Sequence, residues 1–99
     1  MKERILLHLF EYVKQADALE VPPGMTQEGI AHASDIAVPH FTQYVRPLIQ
    51  EGLVRERTAH VKSIRRRRKI YDLTGAGRMA TLKVRDKLKS ETVRVQDAT

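Results

Sequence analysis

Residues 25–51, MTQEGIAHASDIAVPHFTQYVRPLIQE, decide the fold of this chain. Thr26 offers an N-cap hydroxyl to a short helix over 27–33, with Glu28 in the first turn, where the helix dipole favours an anion. A tight turn over 34–37 follows. Val38 and Pro39 then open a third helix that we expect to run to Glu51, because proline is tolerated in a first turn.

The third helix carries an apolar stripe, since Phe41, Val45, Leu48 and Ile49 fall on one face at helical spacing. The opposite face is polar. Gly52 is expected to cap this helix at its C-terminal end. Two helices joined by a tight turn cross steeply, so the second presents one face away from the core.

The flanking segments complete a mainly helical pattern. Apolar residues at three- and four-residue spacing predict a helix over 3–19, which ends before the connector Val21-Pro-Pro-Gly24. Strand patterns over 53–58 and 69–73 on either side of a basic loop predict a hairpin. Thr74 is expected to cap a last helix over 76–89.

The predicted domain covers residues 1–90, and residues 91–99 form a tail. The segment from Glu91 to Gln96 alternates polar and apolar residues like a strand, but no partner strand is evident. The tail is either a frayed end or the start of a following domain.

Composition narrows the function. The 99 residues include no cysteine, which excludes disulfides and thiolate chemistry, while 41% hydrophobic and 30% charged residues are typical of a globular domain. No apolar run is long enough to span a bilayer and no signal region opens the chain, so we expect a cytoplasmic protein without a membrane partner.

Positive charge is concentrated in one segment. Residues 53–73 hold eight Lys/Arg against two Asp/Glu, a balance of +6, which equals the net charge of the whole chain. Residues 1–52 hold four against seven. Five adjacent cations, Arg65 to Lys69, lie in the predicted hairpin loop and at the start of the strand that follows it. Such a run is typical of an element that binds a polyanion.

Helix, short helix, turn, helix, hairpin, helix is the order of a winged helix–turn–helix. Residues 25–31, 38–48 and 50–54 resemble the helix–turn–helix of MarR-like winged-helix regulators, and 57–77 is similar to their wing and the start of the next helix. The resemblance is closest to archaeal modules at the N-terminus of longer proteins. Asp35 stands where this turn usually has a left-handed glycine.

The resemblance implies sequence-specific binding of double-stranded DNA in transcription regulation. The third helix would enter the major groove, where Gln43 can bond adenine in two places, and the arginine run would meet the backbone or the minor groove. The expected DNA-binding residues are Thr26, Gln27, Val38, Pro39, His40, Thr42, Gln43, Arg46, Lys62, Arg65, Arg66, Arg67, Arg68 and Lys69.

A symmetric dimer is the expected assembly, because the first and last helices flank the motif and two-fold symmetry suits a pseudo-palindromic site. The candidate dimer contacts are Leu7, Tyr12, Val84 and Leu88. We expect no catalytic residue, metal or cofactor, since the four histidines show no ligand spacing on a common helix face. Two alternatives stay open: a protein-interaction module within a larger multidomain protein, or an RNA binder.

Overall fold

Four α-helices and a three-stranded sheet build the part of the chain that the computed structural model describes, residues 1–15 and 18–97, with side chains through residue 90. The mainly helical winged helix–turn–helix prediction is confirmed. In chain order the elements are α1 (Lys2–Phe10), β1 (Glu20–Val21), α2 (Gln27–Ala33), α3 (Phe41–Gln50), β2 (Val54–Val61), β3 (Arg66–Leu73) and α4 (Gly75–Asp97). Short 3-10 turns lie at Val13–Gln15, Pro23–Met25 and Val38–His40.

The main core lies between α1, the helix–turn–helix pair and the base of the sheet. The predicted stripe of α3 is confirmed, since Phe41, Val45 and Leu48 are almost fully buried and Ile49 packs against them. Burial of these apolar side chains is the main force that holds α3 in place. The remaining buried members of this core are Ile5, Leu6, Leu9, Ile30, Ala31, Ile36, Val54, Tyr71 and Leu73.

Local capping sets the corner between α2 and α3. The Thr26 hydroxyl accepts a hydrogen bond from the Gly29 amide at 3.1 Å, which confirms the predicted N-cap. Asp35 adopts the left-handed conformation at φ 59°, so aspartate takes the place of the usual glycine. Gly52 ends α3 at φ 75°. Thr26 and Asp35 shape the corner from which α3 leaves with its polar face outward, and Gly52 turns the chain after α3.

The hairpin is longer than predicted. Strands β2 and β3 pair antiparallel from Val54 opposite Leu73 to Val61 opposite Arg66, so most of the basic run is strand and the loop is only residues 62–65. Neighbouring cations in a strand point to opposite faces, so their repulsion does not end the backbone pairing. Strand β1 was not predicted, because its two residues form a strand only when the tertiary fold places them beside β2.

The first helix is shorter than the predicted 3–19. Helix α1 ends at Phe10, and the chain continues as a turn and then as the 3-10 turn at Val13–Gln15. The amides of Glu11 and Tyr12 bond three residues back instead of four. Tyr12 then packs against a second core around Met25. Tertiary packing therefore overrides the helical periodicity; Ala16 lies outside the described residues.

The last helix is longer than the predicted 76–89. It begins at Gly75, where the Thr74 hydroxyl accepts from the Gly77 amide at 3.0 Å as expected for the cap, and it continues to Asp97. The strand-like interpretation of the tail was therefore wrong through Asp97, because a helix satisfies its backbone locally and needs no partner strand; residues 98–99 lie outside the described part. Within that part, no helix is long and apolar enough to cross a membrane.

Candidate nucleic-acid interface

The outer face of α3 and the turn before it are exposed. Phe41, Val45 and Leu48 point inward, so the intervening positions point to solvent at helical spacing. This face offers an amide, a hydroxyl, a guanidinium and an apolar corner, which are the groups that read base edges and phosphates in a major groove. The exposed residues predicted to contact DNA are Val38, Pro39, His40, Thr42, Gln43 and Arg46.

The two predicted contacts at the start of α2 are already in use. The Thr26 side chain is 3% exposed; besides capping α2, its hydroxyl donates to the Pro23 carbonyl at 2.7 Å. Gln27 donates through Nε2 to the Val38 carbonyl at 3.4 Å. The structure therefore places both residues where they brace the helix–turn–helix corner, and only Gln27 is partly accessible.

Half of the cations in the basic segment form ion pairs inside the chain. Arg68 Nη2 lies 2.7 Å from the Glu28 carboxylate, and Lys69 Nζ lies 3.6 Å from that of Glu56. Two further arginines bind a single buried carboxylate. The basic segment is therefore not one uniform cationic surface, because four of its eight cations are neutralised within the chain.

The buried carboxylate is Asp72, which is 3% exposed. Arg55 Nε donates to it at 2.7 Å and Arg57 Nε at 3.0 Å. Arg57 also donates to the carbonyls of Ala18 and Gln15, so it ties the segment after α1 to the sheet. Sequence alone placed both arginines in the first predicted strand, where they counted only toward the positive charge of residues 53–73. The alternation of Arg55 and Arg57 in a strand that pairs with Asp72 was the signal that could have found this cluster.

The other four cations of the segment form the wing tip, which we define as Lys62, Arg65, Arg66 and Arg67. Among the residues that the structure describes, none of these four side chains forms an ion pair. All four are exposed, and Arg65 turns the hairpin at φ 55°. Arg66 and Arg67 are adjacent in β3, so their side chains point to opposite faces. The tip is thus a concentrated, solvated positive charge at the end of the hairpin.

The base of the wing is joined to α3 through Tyr71, which is 4% exposed. Burial, together with the charge and hydrogen bond of Glu56, raises the pKa of Tyr71 to about 12. Its ring meets that of Phe41 edge to face, with centroids 5.1 Å apart. The helix with the exposed polar face and the hairpin with the cationic tip therefore share one packed contact.

The four candidate dimer residues do not lie together. Val84 and Leu88 line a surface groove on α4 beside Glu3 of α1, and Leu7 lines a separate groove on α1. Tyr12 is half-buried, and its ring lies 5.2 Å from that of His8. Tyr12 thus packs within its own chain, whereas Leu7, Val84 and Leu88 each leave apolar surface accessible.

Side chains with metal-ligating groups are dispersed. Within residues 1–15 and 18–90, no group of three His, Cys, Asp or Glu residues is placed to hold a metal ion. Nε2 of His8 lies 2.7 Å from the Gly24 carbonyl oxygen, and the side chain braces the connector after β1. The exposed α3 face offers hydrogen-bonding groups and the wing tip offers cations, and both suit a polyanion.

Solved structures of one protein share this arrangement. The crystal structure of the Staphylococcus aureus MepR–DNA complex matches with a TM-score of 0.62 and 23% identity, over 94% of this chain and 60% of the MepR chain. MepR described as a transcription regulator of the multidrug efflux pump MepA matches with a TM-score of 0.60 and 25% identity, over 94% and 62%. MepR bound to ethidium bromide matches with 0.61 and 23%, over 94% and 61%.

This chain therefore spans about three fifths of the length of the MepR chains. No family model and no curated protein sequence matches it. The likeness to MepR extends over nearly all of this chain, from the helical core through the hairpin to the last helix. The fold of the chain is thus the MarR-type winged helix–turn–helix that is found in MepR.

Proposed function

We propose that this chain is a sequence-specific double-stranded DNA-binding module that acts in transcription regulation. The outer face of α3 lies in the major groove and the wing tip lies on the backbone or in the minor groove. One observation carries the proposal: in the described part of this winged helix, four cations collect without ion pairs at the hairpin tip, while the other four cations of the basic segment are neutralised. MepR, which has the same fold, is known as a DNA complex.

In this proposal α3 reads the sequence. The Gln43 amide can donate to and accept from one adenine edge, and Thr42 bonds a base or a phosphate. Val38 and Pro39 contact a thymine methyl at the start of the helix. Arg46, one turn farther along, meets a phosphate. All of these side chains are exposed and so need no rearrangement before they bind.

The wing tip supplies affinity that does not depend on sequence. Each phosphate that a cation neutralises releases counterions, which makes binding weaken as salt rises. Guanidinium groups also suit phosphate oxygens and narrow minor grooves. We assign this role to Lys62, Arg65, Arg66 and Arg67, because their charges are not committed within the described part of the chain.

We further propose that the chain works as a binding protein in the cytoplasm without catalysis. We also propose that two copies bind as a symmetric dimer, with Leu7, Tyr12, Val84 and Leu88 as candidate contacts. Two-fold symmetry would place two α3 helices about one DNA turn apart. Sedimentation at micromolar concentration tests the assembly. A monomer under those conditions contradicts the dimer.

Fluorescence anisotropy with a random duplex at several salt concentrations tests the DNA proposal. The wing variant changes Arg65, Arg66 and Arg67 to Ala. The matched control changes Lys14, Lys83 and Lys89 to Ala, which removes the same charge from exposed positions on other elements. We expect the wing variant to bind about tenfold more weakly or worse, with a salt slope lower by about 2–3 per protomer, and the control to bind like the parent.

Two results would contradict the proposal. Equal losses in the wing variant and in the control would mean that net charge, rather than the wing, attracts DNA. Absence of binding by the parent protein at low salt would reject DNA as the partner. Tighter binding to duplex RNA than to duplex DNA would favour the RNA-binding alternative.

A further inference from the structure

The outer edge of the wing touches the start of α2. Thr26 and Ile70 form an isolated antiparallel bridge, so the chain before α2 lies beside β3. Glu28 follows Thr26 by two residues, and Arg68 precedes Ile70 by two residues. Glu28 already lies in the first turn of α2, so strand pairing does not continue past the bridge and the two elements are joined there by side chains. The contact of 2.7 Å between Arg68 and Glu28 therefore extends the bridge outward along the wing.

The surface beside this ion pair forms a recess. Ile64, in the loop of the wing, and Arg68 line one mostly apolar recess with Pro23, Gly29 and His32. The wing thus leans toward the N-terminal end of α2 along its outer half. At that level the Arg68–Glu28 pair joins the two elements by side chains, whereas the backbone bridge joins them only at the base.

The pair is not needed to hold the fold. The Arg68 and Glu28 side chains are 37% and 53% exposed, and exposed ion pairs contribute little to the free energy of unfolding. The pair instead restricts the direction in which the hairpin projects. A hairpin of eight paired positions moves its tip by a large distance for a small rotation at its base.

We propose that Arg68 and Glu28 form a positioning pair, which holds the wing at the angle where the wing tip and α3 reach one DNA duplex together. Arg68 is then a positioning residue and not a phosphate contact, although it belongs to the arginine run. This inference rests on the proposed DNA-binding function. It adds that an acidic residue outside the reading helix increases affinity for an anionic partner.

The sign of the Glu28 effect separates this proposal from its rival. If Arg68 contacts phosphate, Glu28→Gln removes a competing and repelling carboxylate and DNA binding becomes tighter. If the pair positions the wing, Glu28→Gln frees the hairpin to move and binding becomes weaker. Glu56→Gln is the matched control, because it removes one carboxylate and breaks the ion pair with Lys69 without touching α2, while its amide oxygen can still accept the hydrogen bond of Tyr71.

The experiment measures duplex affinity and salt slope for Glu28→Gln, Arg68→Gln, the double charge exchange Glu28→Arg with Arg68→Glu, and Glu56→Gln. We expect both single changes to weaken binding about three- to tenfold relative to Glu56→Gln, with salt slopes within about 0.5 of the parent. The exchange should restore affinity to within about twofold to threefold of the parent, since it rebuilds the pair. Tighter binding by Glu28→Gln, or a slope lowered by about one in Arg68→Gln, overturns the proposal.

A measurement without DNA makes the two proposals separable. Hydrogen exchange at the backbone amides of residues 66–70 reports the motion of the outer wing in the free protein. We expect exchange to be about threefold to tenfold faster in Glu28→Gln, and to return to the parent rate in the charge exchange. Unchanged exchange overturns the positioning role even if the parent protein binds DNA. Faster exchange with no DNA binding by the parent rejects the DNA function alone.

Discussion

The rings of Phe41 and Tyr71 meet edge to face with centroids 5.1 Å apart and an interplanar angle of 65°. Phe41 is the first residue of α3 and Tyr71 lies in β3, so this contact joins α3 to the strand that carries the arginines. Both side chains are at most 4% exposed. Movement of the helix therefore has to repack the base of the wing, which couples the two elements proposed to meet DNA.

Tyr71 predicts a dependence of stability on pH. Its pKa is about 12 in the folded chain, against an ordinary value of 10.0. The folded state therefore holds this proton longer, and its stabilisation is complete below pH 10 and is lost as pH rises toward 12. Tyr71→Phe should lack this part of the decline, which amounts to about 2–3 kcal/mol at most.

Denaturant unfolding from pH 8 to 11.5 checks this, with Tyr44→Phe as the control because that side chain is 36% exposed. The stability of the parent should fall relative to that of Tyr71→Phe as pH rises, and the control should follow the parent. Parallel curves for all three proteins would mean that the tyrosine proton does not contribute.

The Asp72 cluster predicts that a basic-segment arginine acts on stability. Arg57→Met removes a charged hydrogen bond to a buried carboxylate and the tie to the segment after α1. We expect about 2–4 kcal/mol of lost unfolding free energy. Arg66→Met at the wing tip should change it by less than about 0.5 kcal/mol. Equal effects of the two substitutions in thermal unfolding would contradict the division between base and tip.

Replacement of two glycines at the start of α4 by alanine should change the stability of the protein in opposite directions. A Cβ at Gly77 would overlap the carbonyl of Leu53, whereas a Cβ at Gly75 meets no atom within 4 Å. Gly77→Ala should therefore destabilise the protein by about 1–3 kcal/mol, since α4 would have to move off the sheet. Gly75→Ala should stabilise it by up to about 1 kcal/mol through helix propensity. The midpoints of denaturant unfolding of the two variants test this prediction, and a shift of the same sign in both would be inconsistent with this packing.

Base reading by α3 is tested with Gln43→Ala. We expect the variant to lose about 1–3 kcal/mol of binding free energy on a duplex selected by the parent protein and to keep its affinity for a random duplex. Arg66→Ala is the comparison, because a phosphate contact should weaken both duplexes alike. If Gln43→Ala weakens the two duplexes equally, Gln43 does not read a base.

Much of the helix–turn–helix followed from local physics. The Thr26 cap and the buried stripe of Phe41, Val45 and Leu48 depend on residues within a few positions of each other. Helical periodicity and capping are properties of short segments, so the sequence predicted them correctly. The exposed outer face of α3 followed from the same stripe, because the opposite side of an amphipathic helix is solvated.

Periodicity failed where long-range contacts decide. The helix after Phe10 gives way to a turn because Tyr12 and the Arg57 hydrogen bonds hold that segment against the sheet. Strand β1 exists because β2 offers it an edge. The tail is helical through Asp97, where alternation had suggested a strand. In the first two cases the competing conformations differ little locally, so a distant partner selects between them, whereas the tail is helical because a helix satisfies its backbone hydrogen bonds locally.

The sequence by itself determined that this chain is a mainly helical winged helix–turn–helix with a strongly basic hairpin. Only the tertiary structure decided how those cations are divided. Arg55 and Arg57 bind Asp72, and Arg68 binds Glu28, while the wing tip keeps its charges exposed. Composition counts charges without regard to distance, but an ion pair requires its partners within about 4 Å, and the fold alone sets which residues meet.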